Sequence, residues 1–158
     1  MSPEACEITL NIGDGVFTAR LRTDLAPLSC AVLIGMMPLE TEVLHARWSG
    51  ESLWSPLSSL WPAGMILPGE NETDTPCPGD VLLFGGEVSE PELLICYGHT
   101  RFASVAGSLA GNPVLTIGSR LERLSELGRA ALRVGPMRLR IACSRLPIPR
   151  VPTPTASQ

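Results

Sequence analysis

Most apolar stretches of this chain are short and end at glycine, proline or aspartate, so its elements are mostly strands joined by tight turns. Glu7-Ile8-Thr9-Leu10-Asn11-Ile12 alternates apolar and polar residues, Gly13-Asp14-Gly15 is a hairpin signal, and Val16 to Arg22 reads as the return strand. Further strand patterns cover 39–48, 51–57, 81–84, 92–97, 114–117 and 137–143. Only two stretches have helical spacing. One is 25–36, with Leu25, Leu28, Val32 and Met36 on one face and Asp24 as N-cap. The other is 120–133, capped by Ser119, with Leu121, Leu124, Leu127, Ala131 and Leu132 on one face. Residues 61–78 read as a long irregular loop. Strands that do not alternate with helices argue against an open parallel sheet. The expected fold is mainly β, a closed barrel of about eight strands capped by two helices.

At 158 residues the chain is the size of one domain and can bury a real core. One barrel domain is expected over residues 1–146, followed by a solvated proline-rich tail over 147–158. Apolar residues make up 44% and charged residues 18%, a globular balance. The net charge of −4 favours neither nucleic acid nor anionic membrane surfaces as partners. Every basic side chain is arginine, so lysine chemistry is not available. The apolar runs are too short to span a membrane, and the first residues lack the pattern of a secretory signal, so a cytoplasmic location is expected. Cys6, Cys30, Cys77, Cys96 and Cys143 are widely spaced without a Cys-x-x-Cys, which reads as structural thiols, Cys77 alone being exposed. No metal and no cofactor are expected: the histidines are two, and no nucleotide, zinc-protease or nucleophile-elbow motif occurs. If the chain self-associates, a homodimer is the expected form.

Arg22-Thr23-Asp24-Leu25-Ala26-Pro27, opening a helix after a hairpin, is similar to the start of cyclophilins. More narrowly, the chain resembles the bacterial cyclophilin-like family DUF3830 over about residues 8 to 143. The segments that carry this are Ala46 to Glu51, Glu70-Asn71-Glu72-Thr73, Pro78 to Leu83, Tyr97-Gly98, Arg101 to Ser104 and Leu109 to Asn112. The resemblance implies a cyclophilin-like barrel. The Phe-His-Arg and Gln-Gly-Gly motifs of proline isomerases are missing, which argues against that activity. Where His-Phe is expected within the narrower family, this chain has Pro113-Val114.

The candidate site residues follow from residue type. Arg47, Trp48, Glu51 and Trp54 flank the Ser49-Gly50 turn, where two indoles and a guanidinium suit a planar anion, unless Arg47 pairs with Glu51. Glu70, with Asn71 beside it, is a candidate general acid or base if a barrel mouth desolvates it. Tyr97 and Arg101 could orient a carbonyl or carboxylate, and His99 between them could move protons. Asn112 after Gly111 could present an amide to a ligand. Glu70, Tyr97 and Arg101 are the expected catalytic set, and Arg47, Trp48, Glu51, Trp54, Asn71, His99 and Asn112 the expected ligand-binding set. The expected function is a small-molecule enzyme needing no cofactor. It would isomerise, cyclise, hydrolyse or cleave a small polar or acidic metabolite by acid–base and electrostatic catalysis. A binding protein without turnover is the rival, and a residual peptidyl-prolyl isomerase the third reading.

Overall fold

The computed structural model describes residues 7–143. Strands β1 (Glu7–Ile12), β2 (Gly15–Leu21), β3 (Leu39–His45), β4 (Gly50–Pro56), β5 (Asp80–Phe84), β6 (Glu92–Thr100), β9 (Asn112–Ile117) and β10 (Met137–Cys143) close into one barrel. The strand order around it is β1-β10-β3-β4-β6-β5-β9-β2, antiparallel throughout. Helices α1 (Pro27–Gly35) and α2 (Leu121–Val134) pack on it, and a two-stranded ribbon, β7 (Ala103–Ser104) with β8 (Gly107–Ser108), stands apart. The expected barrel with two helices is therefore observed. The expected proline-rich tail lies outside the described residues.

Alternation decides what fills the barrel. Ile8, Leu10, Ile12, Phe17, Leu21, Leu39, Val43, Leu53, Leu93, Ile95, Leu139 and Ile141 form one interior cluster. Gly13, at φ +57°, takes the first of two central positions in the β1–β2 turn, a conformation that glycine adopts without a Cβ clash. Helix α2 buries Leu124, Leu127, Gly128 and Ala131. A Cβ at Gly128 would lie 2.3 Å from the Tyr97 ring, so only glycine lets α2 sit this close to β6. Pro113, which has no N–H to pair, is buried in β9 beside the register shift between β5 and β9. No helix among the described residues is long and apolar enough to cross a membrane.

The boundaries depart from the sequence expectation where local signals compete with tertiary contacts. Strand β6 runs on to Thr100, three residues past its expected end at Tyr97 and through the Gly98-His99 stretch that reads as a turn. Asp24 does not cap α1: it pairs with Arg22 at 3.1 Å, and Ala26 occupies the cap position without a side-chain bond. The cap comes instead from the long loop. The Glu70 carboxylate accepts the backbone N–H of Leu28 (3.0 Å) and Ser29 (2.8 Å) and the Ser29 hydroxyl (2.6 Å). Nor does Ser119 cap α2, whose cap position is Arg120 at φ +58°. Arg120 bonds the Val16 carbonyl and lies 5.5 Å from the centre of the Phe17 ring. The cysteines also divide differently: Cys30 and Cys96 are buried thiols and Cys77 an exposed one, but Cys143 is disulfide-bonded. Cys6 lies outside the described residues.

The cap predicts a measurable cost. Burial pushes the Glu70 carboxyl up, but the bonds from Ser29 and the two amides outweigh it and hold it below the usual carboxylate value. Its stabilisation is therefore full above that value and is lost as pH falls through the lowered one. Glu70→Ala should lower unfolding stability by about 2 kcal/mol at neutral pH, read from urea melts. The deficit should shrink in acid as the wild-type carboxylate protonates.

Candidate functional site

Three separate clusters take up most of the expected site residues. The first is the α1 cap. There, Asn112 donates to the Ser29 hydroxyl (2.8 Å) and the Pro68 carbonyl (2.9 Å), and accepts the Glu70 N–H (2.8 Å). Asn71 donates to the Leu25 carbonyl at 2.8 Å. Glu70, Asn71 and Asn112 thus meet as one network that ties the long loop to α1 and β9. Glu70 was expected as a desolvated acid or base. It is instead a carboxylate with its oxygens engaged, and its value moves down rather than up.

The second cluster lies inside the barrel beneath α2. Tyr97 shares a 2.6 Å hydrogen bond with His45 Nε2, and their rings meet edge to face. His45 Nδ1 is buried without a partner among the described residues. Burial, reinforced by Arg47, lowers the His45 value, so the ring is neutral at physiological pH. Burial and the Glu51 charge raise the Tyr97 phenol. Glu51 does not pair with Arg47; its Oε1 accepts the His99 backbone N–H at 3.0 Å. Arg47 and Arg101 join neither cluster. Arg47 is exposed and forms no ion pair among the described residues. The Arg101 side chain is 74% exposed and lies 3.6 Å from Asp74. The expected Glu70–Tyr97–Arg101 catalytic set is therefore not gathered: no hydrogen bond or ion pair joins the three.

The third cluster has the character of a site. On the outer faces of β4, β5 and β6, Trp54, Leu82, Phe84 and Leu94 point away from the barrel. Phe102, Leu109 and Ala46 cover them to make a second, smaller core. At its margin a cavity of about 430 Å³ is walled by Trp48, Trp54, Ser89, Glu90, Glu92, Ala103, Ser104 and Val105. Its volume is in the range of small-molecule pockets. Trp48, 51% exposed, meets Trp54 edge to face with ring centres 5.5 Å apart. Strand register supplies the acid. Trp54 pairs with Leu94 and Pro56 with Glu92, so Trp54 and Glu92 are diagonal neighbours on one face.

Glu92 is 4% exposed. Burial, with the nearby Glu90 charge adding to it, pushes its carboxyl up to about 7, although the Trp54 indole N–H beside it favours the ionised form. That N–H makes no hydrogen bond that satisfies it: Trp54 Nε1 is buried without a partner among the described residues. No cation neutralises Glu92 among the described residues. A carboxyl poised near neutrality in a cavity wall can give or take a proton there. Cys30 offers no comparable chemistry, since burial pushes its thiol up to about 11, and burial raises Cys96 as well. No group of three or more metal-ligating side chains occurs among the described residues.

Trp48 and Trp54 are thus brought together as expected, but with carboxylates rather than with Arg47. Glu92 and Glu90 went unread in the sequence. The available signal was Glu92 opening Leu93-Leu94-Ile95-Cys96-Tyr97: a strand apolar on both faces is covered on both, so a glutamate within it is buried.

The chain spans 45% of the solved protein McbB, seen in complex with tryptophan; 88% of this chain is covered, at 20% identity and a TM-score of 0.65. The hypothetical protein AF2241 from Archaeoglobus fulgidus matches 88% of this chain and 95% of its own, at 12% identity and a TM-score of 0.51. These likenesses support the cyclophilin-like barrel as the fold. No curated protein matches the chain. The family model described as "Protein of unknown function (DUF3830)" matches residues 8–143.

Two substitutions test the geometry. The folded state holds the Glu92 proton up to about pH 7, whereas an unfolded carboxyl loses it near its ordinary value. Glu92 therefore lowers stability progressively as pH rises through that window, with no further loss above it. Glu92→Gln should be more stable than wild type by roughly 1–3 kcal/mol at about pH 8, with little difference at about pH 4, in paired urea melts. Arg47→Ala should change stability by no more than about 0.5 kcal/mol.

Proposed function

The chain belongs to the DUF3830 family, and we propose that it acts on a small molecule held in the Trp48–Trp54 cavity, with Glu92 as general acid and base. The observation that carries this reading is Glu92 itself. A carboxyl that is almost wholly buried, without a counter-cation and titrating near neutrality is costly to stability, and it opens onto a cavity. Structural carboxylates in this chain look different: Glu70 has its oxygens engaged and is held ionised. The indoles supply flat apolar walls, and the Ser89 and Ser104 hydroxyls are the neutral polar groups able to orient a substrate. McbB, which shares this barrel over 45% of its own length, was solved in complex with tryptophan, a ligand of the size this cavity could take.

Binding without turnover is the second reading. The cavity wall contains neither a histidine nor a cysteine, so the exposed Glu90 is the other acid–base side chain in it. Proline isomerisation gains no support, because no arginine lines the cavity.

Incubation with a cell metabolite extract, followed by mass spectrometry, separates the readings. Wild type should consume one metabolite, and Glu92→Gln should consume it roughly 10²–10⁴-fold more slowly while still retaining it on the protein. Retention without consumption by either protein would favour the binder. Equal consumption by both would remove Glu92 from the chemistry.

A further inference from the structure

We infer that the Trp48–Trp54 cavity is a cation site, taking a protonated amine or quaternary ammonium borne on a small apolar or aromatic body; this rests on the cavity being the ligand site. The charge inventory of its walls sets the sign. Two carboxylates, Glu90 and Glu92, line the cavity, and no arginine or histidine does. The guanidinium that would have suited an anion, Arg47, is exposed to solvent and is not part of the wall. An anion entering here would meet two like charges and find no cationic side chain, only neutral donors such as the serine hydroxyls and the two indole N–H groups. A cation would supply the counter-charge that Glu92 lacks.

The aromatic geometry agrees independently. Trp48 and Trp54 stand at 76° to one another, edge to face, and both line the cavity. The π face carries the negative lobe of the ring quadrupole, and tryptophan is the strongest of the aromatic residues in holding a cation. An organic cation makes better use of these walls than a metal ion does, because indole carbon is no ligand and two carboxylates alone make a poor metal set. The remaining wall, Ala103 and Val105, suits an apolar body behind the charged head. Burial holds the Glu92 proton up to about pH 7, and a cation against this wall would favour its loss.

The test uses the three tryptophans as internal reporters. Trp61 lies outside this cavity, with its indole N–H on the Met65 carbonyl, so its signal serves as a control. Benzyltrimethylammonium, benzyl alcohol and phenylacetate are titrated into the full chain labelled with ¹⁵N, following the indole N–H resonances. The ammonium should move the Trp48 and Trp54 signals, leave Trp61 in place, and bind at least about tenfold more tightly than the other two. Because a quaternary ammonium does not titrate, its affinity should rise between about pH 6 and about pH 8 as Glu92 ionises. Glu92→Gln should abolish that rise and weaken the ammonium, leaving benzyl alcohol unaffected. Equal or tighter binding of phenylacetate or benzyl alcohol at Trp48 and Trp54 would overturn the cation assignment and leave the cavity as the ligand site. If none of the three probes moves those signals, both the assignment and the ligand site fall.

Discussion

Barrel closure is the constraint on which everything else in this molecule hangs. Strand β10 lies between β1 and β3, joining the last strand to the first and leaving no open edge among the eight. Closure divides every strand into an inward and an outward face. The inner faces of this chain supply mainly aliphatic side chains, which fill the interior. The Trp48–Trp54 cavity lies outside it, on the outer faces of the strands. On β4, β5 and β6 the outer face is also apolar, and a bare patch of Leu82, Phe84 and Leu94 would cost hydrophobic free energy. The segment carrying Phe102 and Leu109 covers it. The cavity is what this cover leaves open at its margin, between the Trp48–Trp54 pair and the β7–β8 ribbon.

The cover and the long loop are anchored by polar contacts rather than by regular structure. Thr73 and Gly111 exchange backbone hydrogen bonds at 3.0 Å, and the Phe102 N–H reaches the Asp74 carbonyl. Glu70 then ties the same loop to α1, with Asn112 as the link into β9. A carboxylate at a helix start gains from the unpaired amides and from the helix dipole together. Here it also gives an irregular segment a definite place, which propagates to the residues that roof the second core.

Two carboxylates in one protein thus have opposite fates for one physical reason. Both are desolvated, which favours the neutral acid. Glu70 receives two amides and a hydroxyl, and these donors restore the charge. Glu92 has one indole N–H nearby, without a formed hydrogen bond, and a like-charged neighbour, and its proton is held up to about pH 7. Their difference lies in partners, not in residue type or in burial alone.

Hydrophobic periodicity, turn residues and the two helical stretches determined the fold in advance, because inside–outside alternation and tight turns are local properties that the chain writes residue by residue. The hairpin at Gly13, the α2 face of Leu124, Leu127 and Ala131, and the pairing of Trp48 with Trp54 were legible in this way. The site was less so. Glu70 looked like an acid because nothing in its own neighbourhood reveals that the N-terminus of α1, 41 residues earlier, supplies its donors. His99 looked like part of an exposed turn after the strand, but β6 runs through it, and Tyr97, at the expected strand end, packs inward beneath Gly128. Glu92 looked like the start of a strand. Its burial comes from Trp54 and Pro56 on β4, Phe84 on β5 and a covering segment, all remote in sequence. The electrostatics of a buried group are set by what the fold brings to it from elsewhere, and only the tertiary structure decided that the two tryptophans would face carboxylates and not an arginine.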